Sequence, residues 1–167
     1  MMDLETMSTQ SNAAIVSIGA VKYDETGIHD EFHVAISLAD CLKYGLHKSD
    51  DTVKWWKSQP LEVVQAWAVN GQPLKESLEK FLAWLGPDYA KYEYYCWGLN
   101  FDAPILDNAL SVVGYQVPWK YWNLRCARTI HAVLSTGFIE KRDGHYHNAL
   151  DDAKTQALEM IKLSAPQ

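Results

Sequence analysis

Hydrophobic residues group in strand-like runs over positions 1–36, and from there on they fall into helical stripes. Positions 1–6 read as a short strand and the polar stretch 8–12 as the loop that leaves it. Ala13-Ala14-Ile15-Val16-Ser17-Ile18-Gly19-Ala20-Val21-Lys22-Tyr23 is rich in β-branched residues and nearly unbroken in its apolarity, which predicts a strand buried on both faces. Asp24-Glu25-Thr26-Gly27 reads as a turn, after which Phe32, Val34 and Ile36 recur at period two and predict a third strand over 28–36. Three strands joined this way form an antiparallel meander. Over 38–70 the spacing predicts two or three short helices, with Asp50-Asp51-Thr52 as an N-cap region ahead of Val53-Lys54-Trp55-Trp56-Lys57. Leu74, Leu78, Phe81, Leu82 and Leu85 share one helical face, opened by Pro73 and closed by Gly86-Pro87.

The second half of the chain reads less regularly. Positions 93–97 are aromatic and predict a strand, followed by a helix with Leu106, Ala109, Leu110 and Val113 on one stripe. A strand that feeds a helix adds to a sheet in parallel. The segment 115–122 is aromatic and irregular, a helix is expected at about 125–134, and 140–144 is a polar loop. A last helix is expected at about 148–163, with Leu150, Ala153, Ala157 and Ile161 as its apolar stripe.

Length and composition narrow the class. With 167 residues, 48% hydrophobic and 22% charged, residues 1–167 have the size of one domain with a substantial core. No apolar run approaches the roughly 18 residues a membrane span needs, and the acidic start is unlike a signal peptide, so the expected location is cytoplasmic. Cys41, Cys96 and Cys126 are odd in number and lack a C-x-x-C pair, which predicts neither a disulfide framework nor a zinc site, but buried small hydrophobes. A net charge of -6 argues against a surface coated for generic nucleic-acid binding, although it does not describe any single cleft. Phosphate-binding glycine loops of the mononucleotide and dinucleotide types are absent from the sequence.

The candidate chemistry lies in three separated stretches. Asp3 and Glu5 alternate on the first strand, so both carboxylates stand on one face, roughly 6.5 to 7 Å apart along the chain. Asp102 lies where a strand gives way to a helix, and His147, Asp151 and Asp152 where the last helix begins. Each has an ordinary structural reading: a solvated strand face, an N-cap, or acids favoured by a helix dipole. Their conjunction suggests more, because four carboxylates carry about four negative charges, which two divalent cations would neutralise. Relative to the apolar stripe, Asp151 and Asp152 flank opposite sides, and periodicity does not choose between them. Most aromatics, including Trp84, Trp97 and Tyr115, are read as core, whereas Phe101 and one of Trp55 or Trp56 are candidates for stacking on bases. Lys54, Lys57, Lys141 and Arg142 are candidate phosphate contacts.

Asp3-Leu4-Glu5-Thr6, Gly98-Leu99-Asn100-Phe101-Asp102 and His147-Asn148-Ala149-Leu150-Asp151-Asp152-Ala153 together resemble, in order and across the chain, the three motifs of the DEDDh 3′–5′ exonucleases. The stretches 12–21 and 52–56 are most similar to small stand-alone exonucleases of phages and bacteria. The resemblance implies an α/β, ribonuclease-H-like fold with a mixed five-stranded sheet, its first three strands antiparallel and helices on both faces. Its fifth strand would fall within 119–124. Asp3, Glu5, Asp102 and Asp152 would then hold two Mg²⁺ or Mn²⁺ ions, and His147 would act as general base in releasing nucleoside 5′-monophosphates. Thr6 and Asn100, inside the matching motifs, join Phe101, Trp55, Trp56, Lys141 and Arg142 as expected substrate contacts. The expected substrate is single-stranded nucleic acid or its 3′ ends, with a slight lean to DNA over RNA; a homodimer is left open. One departure is Arg125-Cys126-Ala127-Arg128-Thr129, where some relatives carry an aspartate before the Arg-Thr pair. The alternatives are an idle domain of the same fold that binds nucleic-acid ends or a protein, and a transposase or ribonuclease-H endonuclease, which has no use for the histidine.

Overall fold

The strand that carries Asp3 and Glu5 lies at the middle of the sheet, so its two faces decide where the helices go. The computed structural model describes residues 1–135 and 146–164. Its strands are β1 (Met2–Thr6), β2 (Ile15–Asp24), β3 (Gly27–Ala35), β4 (Tyr94–Cys96) and β5 (Leu124–Cys126), in the spatial order β3-β2-β1-β4-β5. β1, β2 and β3 pair antiparallel, whereas β4 joins β1 in parallel and β5 joins β4 in parallel. Seven α-helices surround this sheet among the described residues: α1 (Leu38–Lys43), α2 (Asp50–Lys57), α3 (Leu61–Ala68), α4 (Leu74–Leu85), α5 (Asp102–Val112), α6 (Ala127–Leu134) and α7 (Ala149–Ser164).

Alternation along the strands sorts the two layers. Met2 and Leu4 of β1 join Val16, Ile18 and Ala20 of β2 in the larger core, against Leu78 and Phe81 of α4 and Ile105 and Leu106 of α5. Met1 and Val21 belong instead to a smaller cluster with Ala127 of α6 and Ala153, Ala157 and Met160 of α7. The same alternation sends Asp3 and Glu5, with their partners Gly19 and Ser17, to the α7 side. The apolar content of β2 follows from this, since both of its faces are covered.

Gly19 sets how close α7 can come. A Cβ at this position would lie 2.1 Å from the carbonyl carbon of Ala149 and 2.2 Å from the nitrogen of Leu150. Only hydrogen at that point lets the first turn of α7 rest on β2. At the other end of β1 the sheet opens. A cavity of about 510 Å³ lies between β2 and β4 beyond Met1, lined by Tyr23, Trp84, Tyr92, Tyr95 and Met160 among others. The Met1 ammonium donates to the Val21 carbonyl at 3.0 Å, and burial lowers its pKa to about 5.

Several expectations are refined. α1, α2 and α3 fill the region where two or three helices were expected, and α4 occupies the expected face, with Gly86 at φ 74 ending it. Ser49, not the Asp50-Asp51-Thr52 run, caps α2, its hydroxyl accepting from the Thr52 N–H. The fifth strand falls at Leu124–Cys126 instead of within 119–124, because Trp119 is buried against Tyr94 and Tyr121–Asn123 form a 3₁₀ turn. α6 therefore starts at Ala127. Cys41 and Cys96 are buried as expected, but Cys126 is only half-buried, since it stands at the N-cap of α6. Among the described residues, no helix is long and apolar enough to cross a membrane.

Candidate active site

Asp3 and Glu5 meet α7 one turn at a time. Two residues of strand span roughly 6.6 to 6.8 Å and four residues of helix about 6 Å, so a strand pair at i, i+2 can match a helix pair at i, i+4. Gln156 donates through Nε2 to Asp3 Oδ1 at 2.8 Å. One turn earlier, Asp152 lies beside Glu5: Glu5, His147 and Asp152 each place one ligand atom within 4.8 Å of the others. The helical wheel left Asp151 and Asp152 equivalent; the structure buries Asp152 and leaves Asp151 half-buried, where its charge acts on His33 of β3.

Local geometry explains how the start of α7 is held. Asn148 is the N-cap, its Oδ1 accepting from the N–H groups of Leu150 and Asp151 at 3.1 and 3.2 Å. Asp152 reaches back with Oδ2 to accept the His147 N–H at 3.1 Å. His147 has φ 62, a left-handed conformation that costs an L-residue on the order of 1–2 kcal/mol, and neighbouring contacts retain it. Its imidazole sits edge-on to Trp55, ring centroids 4.7 Å apart.

Asp102 approaches from β4. It is the first residue of α5 and does not cap it: Phe101 holds the N-cap position, and Asp102 Oδ1 instead accepts the Leu4 N–H of β1 at 3.2 Å. This bond ties the first residue of α5 to the middle of β1, between Asp3 and Glu5 in sequence. The Arg128 guanidinium, at the start of α6, lies over Gly98 and favours the ionised form of Asp102.

The electrostatics reflect the crowding. Burial, followed by repulsion from Asp102, Glu5 and Asp152, holds Asp3 well above the usual carboxylate range, against the amide of Gln156. Burial raises Glu5 to about 8, with Asp152 and Asp102 adding to it. Burial raises Asp102 to about 7, opposed by the N–H groups it accepts from and by Arg128. A donor set of carboxylates with one imidazole suits hard divalent cations.

The expected substrate contacts divide. The tryptophan pair separates, Trp55 being 41% exposed and Trp56 3%. Trp56 is a core residue whose indole N–H donates to the Thr6 carbonyl at 2.9 Å, so only Trp55 offers a ring to the surface. Thr6 is buried with its hydroxyl donating to the Ser8 carbonyl, Asn100 is exposed and Phe101 half-buried beside Asp102. Lys141 and Arg142 lie outside the described residues. Lys54 pairs with Asp51 at 3.4 Å on the exposed side of α2. Three residues were given no role at the site from the sequence. A glycine inside a strand pattern is the signal of close backbone approach that would have found Gly19, and the i+4 spacing from Asp152 is the signal that would have found Gln156. Arg128 gave no signal of its own.

A central β1 with acids on its α7 face, a meander on one side and parallel strands on the other, defines a ribonuclease-H-like α/β fold with a carboxylate cluster of nuclease type. The comparisons agree. The chain belongs to the family of Rv2179c-like 3′-5′ exoribonuclease domains, whose model matches residues 1–162. It is also similar to an exodeoxyribonuclease of Enterobacteria phage T4, 26% identical over 161 residues that cover 80% of this chain and 70% of the phage protein. The protein is thus an enzyme, a 3′–5′ exonuclease.

Proposed function

We propose that this exonuclease is of the DEDDh type and works with two divalent cations, Mg²⁺ or Mn²⁺, held by Asp3, Glu5, Asp102 and Asp152. The observation that carries the reading is the convergence of these carboxylates, three of them pushed up in pKa by burial and two of these, Asp3 and Glu5, also by the neighbouring acids, which a bound cation relieves. Such cations supply Lewis-acid stabilisation of charge developing on phosphoryl oxygens and ease the deprotonation of water. His147, beside Glu5 and Asp152 and steadied by Trp55, is the general base that takes the proton of the attacking water. The buried strand and helix around the acids fix them before substrate arrives, so little reorganisation accompanies reaction. Trp55 and Phe101 offer stacking to terminal bases without regard to sequence, which suits single-stranded 3′ ends. Asn100, Thr6, Lys141 and Arg142 complete the proposed substrate contacts. Product is a nucleoside 5′-monophosphate.

The family description names RNA and the phage relative's name DNA, so the test carries both. Purified protein is incubated with Mg²⁺, Mn²⁺ or chelator and with matched DNA and RNA oligonucleotides labelled at the 5′ end. Stepwise shortening from the 3′ end that needs the metal supports the reading, and the faster polymer names the substrate. Full activity in chelator overturns the metal site.

A further inference from the structure

Gln156 is a neutral amide set among carboxylates, and its two ends are treated differently. The side chain is 5% exposed. Nε2 donates to Asp3 Oδ1 at 2.8 Å, whereas Oε1 is buried and has no hydrogen-bond partner among the described residues. An unpaired buried acceptor costs stability, so Oε1 is not there for the sake of the fold. The amide therefore has another use. Its position is set by the same strand-and-helix match that places Asp152 beside Glu5, with Asp3 the acid it holds. Gly19, opposite Asp3 in the sheet, is what lets the helix come within reach.

We infer that Gln156 is a positioning residue for Asp3: its Nε2–H fixes the carboxylate through Oδ1, and its Oε1 is an acceptor kept for solvent in the loaded site. The inference rests on the cation reading above. Neighbours that orient a metal ligand typically matter 10- to 100-fold for metal affinity. Gln keeps the donor without adding a fifth negative charge, which Glu at the same position would do.

Gln156→Met keeps length and removes both polar atoms; Gln156→Leu is a second apolar replacement. Each is stripped with chelator, its melting temperature measured, and Mn²⁺ then titrated by calorimetry without substrate. The expected result is a folded variant whose melting temperature in chelator stays close to that of the unsubstituted protein, since one unpaired acceptor is exchanged for another, with Mn²⁺ affinity weaker by 10- to 100-fold and a cleavage rate restored by excess Mn²⁺. If the unsubstituted protein binds no Mn²⁺, the cation reading itself falls. If it binds and either folded variant binds within two-fold of it, the positioning role is overturned while the site stands. Unfolding of both variants in chelator also overturns the inference, by making Gln156 a structural residue.

Discussion

Gly19→Ala sets two physical expectations against each other. By strand propensity alone, replacing glycine with alanine stabilises by roughly 0.5–1 kcal/mol. The structure predicts the opposite sign. The added Cβ would lie 2.1 Å from Ala149 C, 2.2 Å from Ala149 O and 2.2 Å from Leu150 N, all backbone atoms that cannot rotate aside. Restoring ordinary contact at about 3.4 Å requires the first turn of α7 to retreat by roughly 1.3 Å, the difference between 3.4 and 2.1 Å. That turn carries Asp152, and His147 is bonded to it. Overpacking of this kind costs about 1–3 kcal/mol, and a 1 Å misplacement of reacting groups about 100-fold in rate. The expected outcome is a lower melting temperature in chelator together with a hundred-fold slower metal-dependent shortening of a labelled oligonucleotide. A variant with unchanged or raised melting temperature and unchanged rate would refute the close-approach argument.

Stability should depend on pH in a direction set by the acids. Glu5 at about 8 and Asp102 at about 7 bind protons more readily folded than unfolded, so without cations their contribution is fully present below about pH 4 and is lost as pH rises toward 8. Melting curves in chelator should fall across that range; a rise between pH 5 and 8 would contradict the burial of these groups. Divalent cations should reverse the trend, adding about 2.7 kcal/mol at a free concentration of 100 times Kd. Asp152→Asn should abolish metal-dependent cleavage, whereas Asp151→Asn, which removes a half-buried charge that acts on His33, should cost at most a few-fold in rate and about 0.3–1 kcal/mol. A nuclease assay at saturating Mn²⁺ checks the ranking, and the reverse order would exchange their roles. His147→Asn tolerates the left-handed backbone while removing the base, so the rate should drop by about 100- to 10,000-fold and the increase from acid to neutral pH should vanish. Retention of the native pH–rate profile would leave His147 as a structural residue only.

The sequence by itself determined the elements and most of their order. Strand and helix periods are local properties, and the continuous apolarity of β2, the face of α4 and the burial of Ala153 and Ala157 in α7 could be read without knowing what they pack against, whereas Leu150 and Ile161 of the expected α7 stripe are only half-buried. The resemblance of three short motifs then supplied the fold, its topology and the candidate acids. Tertiary structure decided what periodicity could not. β5 moved to Leu124–Cys126 because Trp119 found a core position against Tyr94, a contact between residues 25 positions apart in sequence. Asp102, well suited to cap a helix, instead accepts the Leu4 N–H, since a parallel β4 brings α5 to the middle of β1. Trp55 and Trp56, adjacent in sequence, part into surface and core according to which side of α2 meets Thr6 and Trp67. Asp151 and Asp152 were equivalent on the wheel and became different only when Gly19 allowed α7 to settle on β2 with Asp152 toward Glu5. A sequence records which side chains a segment carries; which of two neighbours is buried depends on the direction from which another segment arrives.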